Sequence, residues 1–255
     1  NTLKASISKV KKRLEDKGWI LYKIPFCKEG FWVVHKTGRL DIGNVLEYSL
    51  GYYYVQEAAS MIPPVVLDPQ ENDLVLDLCA APGSKTTQIG QYLNNTGLLI
   101  ANDLNDMRMK PLGMNVQRIG LTNTIITKMY GQWFKKKGIM FDKILVDAPC
   151  SGTGTIRKSV KTLKIWNPIM IDRLASTQKK LIKGAFNILK PGGTMVYSTC
   201  STEPTENEGV VTHLLETFPE AKIQDIEMDI NRSECYTEFE GVEFNPEVKK
   251  CLRLW

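Results

Sequence analysis

The sequence predicts an α/β fold, a doubly wound parallel sheet preceded by a small N-terminal α/β unit. From residue 74 onward, short apolar runs alternate with longer amphipathic stretches, which is typical of a parallel sheet with helices on both faces. In addition, the small residues "CAAPGS" (79–84) directly follow the first apolar run. Sheets of this type bind ligands at such a turn, beyond the carboxyl ends of the strands.

The N-terminal unit comes first along the chain. Residues 4–17 have the lysine-rich, amphipathic pattern of a helix, and "WILYKIPFCKEGFWVVH" (19–35) predicts two strands. We therefore divide the chain into an N-terminal α/β unit at 1–50 and a larger domain at 51–255.

The larger domain then supplies the sheet and its covering helices. Helices are expected near Thr86–Leu93, Met107–Gly120 and Ile169–Leu189, and "KPGG" (190–193) is a stop signal that closes the last of them. The predicted strands are Leu74–Cys79, Leu98–Asp103, Thr124–Lys128, Lys143–Asp147 and Thr194–Thr199.

Charge is distributed in blocks along the chain, although the net charge is only +5. Residues 107–190 contain seventeen Lys and Arg against three Asp and Glu, and residues 191–255 contain five against thirteen. This asymmetry favours a basic surface that faces a polyanion such as nucleic acid. The alternative is a set of helices that present lysines to solvent.

Cysteine content and hydropathy limit the class of protein. Six cysteines in 255 residues are too sparse for a disulfide scaffold, and no pair has the CxxC spacing of a zinc site, so we expect free thiols and no metal. No apolar run approaches the ~20 residues of a membrane helix, and the N-terminus is polar rather than signal-like. We expect a cytoplasmic protein without a membrane partner.

The turn after the first strand matches neither common phosphate-binding motif. A GxGxxG fingerprint is absent, and a P-loop fails because Ser84 separates Gly83 from Lys85. Asp103 ends the next strand about twenty residues later, where an acid can accept hydrogen bonds from ribose hydroxyls. The pattern therefore favours an adenosine cofactor other than NAD.

Four motifs stand in order along the chain: "YYYVQEAASMIPP" (52–64), "DLCAAPGSKT" (77–86), "DAPCSG" (147–152) and "STCS" (198–201). Together they resemble the motifs of the Sun/Nop family of S-adenosylmethionine-dependent RNA (cytosine-5) methyltransferases. The resemblance covers residues 45–210 and is greatest to archaeal members that modify tRNA. It implies a Rossmann-like methyltransferase sheet, S-adenosyl-L-methionine as cofactor and tRNA as the RNA partner. The sequence leaves the oligomeric state open, and a monomer is favoured.

The resemblance also implies residue roles. Cys200 matches the nucleophile that adds to C6 of cytosine, and Cys150 matches the cysteine that assists product release; adjacent parallel strands, about 4.8 Å apart, would hold both thiols over one base. Asp147 is expected to bind the cytosine amino group or the N3-protonated ring, and Lys85 to lie beside it. The implied cofactor-binding residues are Cys79, Ala80, Ala81, Pro82, Gly83, Ser84, Lys85, Asp103, Arg108, Tyr130 and Asp147.

Several alternatives stay open. Buried cysteine is usually a small hydrophobic residue, Asp147 could cap the turn that follows it, and Arg108 could simply face solvent. Tyr130 stands where relatives carry an aspartate, and the sequence stops at Arg253-Leu254-Trp255 without the family's closing strand. Competing functions are a DNA cytosine-5 methyltransferase, with its nucleophile in the proline-cysteine motif, and a non-catalytic RNA-binding module.

Overall fold

The computed structural model describes residues 1–254, apart from the side chain of Gln132; Trp255 lies outside the described residues. The N-terminal unit begins with a helix, α1 (Ile7–Glu15), which is followed by an antiparallel hairpin of β1 (Trp19–Lys23) and β2 (Phe31–His35). Ser6 begins α1 because its side chain accepts a hydrogen bond from the Lys9 backbone N–H. The predicted helix at 4–17 is therefore shorter at both ends.

Two short helices, α2 (Leu46–Ser49) and α3 (Ile62–Leu67), connect this unit to the sheet. The buried carboxylate of Glu47 in α2 accepts from Arg13 and Lys17 at 2.9 and 2.5 Å, and Lys4 Nζ donates to Arg118 O at 2.7 Å. Much of the positive charge near α1 is thus used to hold the N-terminal unit in place.

The centre of the molecule is a five-stranded parallel sheet. Its strands are β3 (Leu74–Asp77), β4 (Leu98–Asn102), β5 (Thr124–Thr127), β6 (Phe141–Asp147) and β7 (Leu189–Ser198). Their order in the sheet is β5-β4-β3-β6-β7. After β3 the chain adds β4 and β5 on one side, and it then crosses over to add β6 and β7 on the other side, so the strand order reverses between β3 and β6. That reversal is the point at which open α/β sheets bind ligands.

Helices cover both faces of this sheet, which confirms the predicted fold class. α4 (Ser84–Tyr92) and α5 (Asp106–Ile119) bury their apolar residues with α3 on one face. Four more helices follow in the chain: α6 (Gln132–Lys136), α7 (Lys161–Ile165), α8 (Pro168–Phe186) and α9 (Glu208–Thr217). Phe134 of α6 and Ala185 of α8 pack on the other face of the sheet.

The last described segment runs back to α9. It contains a short hairpin of β8 (Glu238–Phe239) and β9 (Val242–Glu243), and Arg253 forms a buried ion pair with Glu208 at 2.9 Å. Within residues 1–254, no helix combines the length and apolar character needed to cross a membrane.

The "KPGG" prediction is wrong in its details. α8 ends at Phe186, and residues 190–193 lie inside β7, where the register shifts between the pairs Phe141↔Leu189 and Lys143↔Thr194. Gly192 has φ +78°, a backbone conformation that suits such a bulge, and Lys190 Nζ binds Asp142 Oδ1 at 2.8 Å. The glycines therefore distort a strand rather than end a helix.

Candidate active site

The turn after β3 forms a narrow cradle. Thr86 Oγ1 donates to Asp77 Oδ2 at 2.7 Å, and Ala80 N donates to Asn102 O at 2.8 Å, so the turn is tied to α4 and to the neighbouring strand. Gly83 has φ +107°, and a Cβ there would lie 3.1 Å from Leu112 Cδ1. Only glycine meets both the backbone and the space requirement at this position.

Asp77 is buried beneath this turn. It is 1% exposed, and burial raises the pKa of its carboxyl to about 7. Its Oδ1 has no hydrogen-bond partner within the described part of the chain. Asp77 therefore braces the turn from a buried position.

Asp103, at the end of β4, is almost fully buried against the same turn. Ala81 N donates to its Oδ2 at 3.0 Å and Asn105 N donates to its Oδ1 at 2.9 Å. Arg108 Nη1 lies 3.8 Å from Oδ2, and Arg108 Nη2 also donates to Ala81 O. The acid predicted from its spacing thus lies directly against residues 80 and 81.

The two cysteines of the strand-end motifs lie together. Asp147 of β6 pairs with Ser198 of β7, and the loops that leave these residues bring Cys150 Sγ to 3.2 Å from Cys200 Sγ. Cys200 N also donates to Cys150 Sγ at 3.3 Å. The prediction that two adjacent strand ends bring these thiols together is confirmed.

The environments of the two thiols differ. Cys200 is exposed, and the hydrogen bond from Cys150 lowers its pKa to about 7. Cys150 is more buried, and the same hydrogen bond, together with desolvation, raises its pKa. Lys85 lowers the pKa of Cys200 too, but it is a smaller influence than Cys150. Cys200 is therefore the thiol that ionises more readily.

Lys85 and Asp147 form an ion pair beside the thiols. Lys85 Nζ lies 2.6 Å from Asp147 Oδ2, and Ser198 Oγ donates to Asp147 Oδ1 at 2.8 Å. The carboxylate is thereby held from two sides, by the turn after β3 and by the end of β7. One small region contains a cation, a carboxylate and two thiols.

Comparison of the chain with known proteins identifies its family. Residues 64–250 match the family model described as 16S rRNA methyltransferase RsmB/F, and residues 1–58 match the N-terminal domain of 16S rRNA methyltransferase RsmF. The chain belongs to the RsmB/F family of RNA (cytosine-5) methyltransferases. The Sun/Nop resemblance stated above is this same family, and that prediction is confirmed.

Relatives within the family differ in length. A tRNA (cytosine(49)-C(5))-methyltransferase of Pyrococcus abyssi is 43% identical over 255 residues, all of this chain and 81% of the relative. Ribosomal RNA small subunit methyltransferase F of Vibrio parahaemolyticus is 44% identical over 227 residues, 87% of this chain but 47% of the relative. The chain therefore spans about half the length of the RsmF proteins it matches.

Solved structures agree with the fold. A methyltransferase homolog protein from Pyrococcus horikoshii superposes with a TM-score of 0.82 at 35% identity, covering 98% of this chain and 77% of the other. NSun6 from the same organism, solved with SFG, gives a TM-score of 0.71 at 32% identity over 81% of this chain and 53% of the other.

S-adenosylmethionine is the cofactor of this methyltransferase family, and the cradle fits it. Residues 79–84 are small, so a ligand can approach the backbone of the turn closely. Asp103 lies one strand away, as a ribose contact requires. The family confirms the predicted cofactor, and the turn has residues that suit it.

Three of the predicted cofactor residues are exposed, namely Pro82 in the turn, Arg108 and Tyr130. The Arg108 side chain is 48% exposed, although its guanidinium reaches the turn, and Tyr130 is 61% exposed. Tyr130 follows β5 on a loop whose Met129 N donates to Asn102 Oδ1 at 2.8 Å. Asn102 itself was not predicted; it links β3, β4 and this loop from a buried position.

Sequence reasoning also missed the groups that hold the cysteine loops. Ser151, Ser201, Gln178 and Glu206 form one hydrogen-bonded cluster behind the thiols. Asn207 orders the loop after Cys200, because it accepts from Thr199 Oγ1 at 2.6 Å and donates to Ser201 O at 2.9 Å. The "ENEG" stretch was the available signal for Glu206.

Proposed function

We propose that the protein methylates C5 of cytosine in tRNA through a covalent adduct between Cys200 and C6 of the base. The observation that carries this proposal is the pair of thiols, 3.2 Å apart, next to the Lys85–Asp147 ion pair and the cofactor turn. S-adenosylmethionine, when bound, supplies an electrophilic methyl group. The residues of this chain must make C5 nucleophilic and then release the product.

The first task falls to Cys200. Its thiolate adds to C6, and the electron pair of the C5–C6 bond moves toward C5, which then bonds to the methyl carbon. The lowered pKa of Cys200 makes the thiolate available near neutral pH. Asp147 accepts a hydrogen bond from the cytosine amino group and so orients the base, or it accepts one from N3 when that atom is protonated. A proton on N3 neutralises the charge that addition of the thiolate brings to the ring.

The second task falls to Cys150. After transfer, C5 carries both a methyl group and a proton; loss of that proton restores the double bond and expels the Cys200 thiolate. Cys150 is the group beside Cys200 that can accept the proton, in its thiolate form.

A tRNA-modifying relative supports tRNA as the substrate. The tRNA (cytosine(49)-C(5))-methyltransferase of Pyrococcus abyssi is 43% identical to this chain over 255 residues. Phosphates around the pocket would be contacted by basic residues of the larger domain, which take no part in the ion pairs of the N-terminal unit. These residues are Lys135–Lys137, Lys161 and Lys164.

Two cysteine variants test the mechanism. Cys200→Ala should abolish methyl transfer to tRNA while S-adenosylmethionine still binds, because this thiol acts only on the base. Cys150→Ala should stall after transfer and leave RNA attached to Cys200 on denaturing gels. Activity in Cys200→Ala together with no adduct in Cys150→Ala would reverse the roles and favour the mechanism of the DNA enzymes.

A further inference from the structure

Glu206 is a buried carboxylate that joins the two cysteine loops. It is 0% exposed and lies in the short turn after the Cys200 loop. From the Cys150 loop it accepts Ser151 Oγ at 2.5 Å and Ser151 N at 3.0 Å. From the Cys200 loop it accepts Ser201 Oγ at 2.6 Å. Each serine directly follows one of the two cysteines.

A third element is attached to the same carboxylate. Gln178 of α8 donates through Nε2 to Glu206 Oε1 at 2.8 Å and to Pro149 O at 2.9 Å. Tyr197 of β7 donates to the backbone carbonyl of Glu206 at 2.7 Å. The position of Glu206 is therefore fixed by α8 and β7, and its hydrogen bonds to Ser151 and Ser201 hold both cysteine loops relative to that position.

The energetics indicate what this carboxylate does. Its partners within residues 1–254 are hydroxyl, amide and backbone N–H groups rather than a lysine or arginine. Burying a carboxylate is costly unless several donors compensate, and an apolar side chain would fill the same volume without that cost. What an apolar side chain would not do is hold two loops at a fixed separation.

We propose that Glu206 is a positioning residue that sets the distance between Cys150 and Cys200. The effect is indirect, since Glu206 contacts Ser151 and Ser201 and neither thiol. Its importance for methyl transfer rests on the proposed function, because that function needs both thiols at one base. A displacement of about 1 Å in such a site can cost on the order of a hundredfold in rate.

The distance itself can be tested without any assay of methyl transfer. Diamide removes two electrons and two protons from a pair of neighbouring thiols, which leaves a disulfide and the reduced hydrazine. The rate of Cys150–Cys200 disulfide formation, followed by peptide mapping, therefore reports how often the two sulfurs meet. We expect Glu206→Ala to slow it at least tenfold and Glu206→Gln, which keeps one oxygen acceptor, to slow it less.

Glu47→Gln is the matched control. Glu47 is also 0% exposed, but it binds Arg13 and Lys17 of the N-terminal unit and does not touch the cysteine loops. The Glu47→Gln variant should have a lower free energy of unfolding but an unchanged rate of Cys150–Cys200 disulfide formation. If Glu206→Ala fails to fold, Ser201→Ala removes one donor to the carboxylate and should slow the same reaction in a folded protein.

The outcomes separate this proposal from the proposed function. A wild-type disulfide rate in folded Glu206→Ala, or in Ser201→Ala if the first variant does not fold, overturns the positioning role. A slowed disulfide, with unchanged binding of S-adenosylmethionine and a loss of kcat rather than a rise in KM for tRNA, supports it. If the wild type methylates no RNA, the proposed function fails, while a slowed disulfide in the variant still supports the positioning role.

Discussion

Replacing Cys150 with alanine should make Cys200 less acidic. The hydrogen bond from Cys150 is the largest of the influences that lower the pKa of Cys200 from its ordinary value of 9.0 to about 7. Burial and Asp147 both raise it, and in the variant only Lys85 and a backbone hydrogen bond at Cys200, both smaller influences, would still lower it. We expect the pKa of Cys200 in Cys150→Ala to return to the region of 9.

The expected difference in the alkylation rate of Cys200 follows from the fraction of that thiol that is ionised. A thiol with a pKa of about 7 is roughly half ionised at pH 7, whereas one with a pKa near 9 is about 1% ionised, and only the thiolate reacts. Alkylation of Cys200 by iodoacetamide at pH 7 should therefore be about fiftyfold slower in Cys150→Ala. At pH 10 the two proteins should react at similar rates.

Mass spectrometry of the alkylated peptides gives the assay. Burial raises the pKa values of Cys27, Cys79, Cys235 and Cys251, so modification at neutral pH should be confined to Cys200. Cys150→Ser is the control, because its hydroxyl can still donate to Cys200 and should keep the pH midpoint of Cys200 alkylation low. An alkylation midpoint near pH 7 in Cys150→Ala would refute the hydrogen-bond explanation.

Three further predictions concern the cofactor, the loop packing and the RNA. Asp103→Ala should weaken S-adenosylmethionine binding roughly tenfold or more by calorimetry, since hydrogen bonds to a charged group are lost, whereas Asp106→Ala, an exposed acid nearby, should not. Gly154→Ala should reduce methyl transfer without weakening cofactor binding, because its Cβ would lie 2.9 Å from Cys200 O; Gly43→Ala, with nothing within 4 Å, is the control. Replacing Lys135, Lys136 and Lys137 with glutamine should weaken tRNA binding and flatten its dependence on salt; an unchanged slope would mean that these lysines only face solvent.

The sheet and the meeting of the thiols could be predicted because both depend on short stretches of sequence. Each buried strand is a local apolar run, and "DAPCSG" and "STCS" stand directly at the ends of two of them. The carboxyl ends of parallel strands share one edge, so strand assignment placed Cys150 and Cys200 at that edge, and the family resemblance placed both at one base.

What could not be predicted depends on contacts between distant residues. Ser151, Gln178 and Glu206 are separated by up to 55 positions, and nothing in the local sequence around any of them indicates the others. The end of α8 was misjudged for a related reason. "KPGG" stops helices locally, but pairing of Leu189 with Phe141 starts the strand before it and turns the glycines into a bulge.

The chemistry of the site depends on the register between β6 and β7. Because Asp147 is paired with Ser198, the carboxylate lies beside the hydroxyl that holds it, and the two loops leave the sheet at the same level. A slip of one residue would turn alternate side chains to the opposite face and separate Asp147 from Ser198. The loops would then start at different levels, and no rotation of Cys150 or Cys200 alone could restore their contact. The bulge at 190–193 takes up extra residues before the pair Lys143↔Thr194, so the strands remain aligned at the end where the two thiols meet.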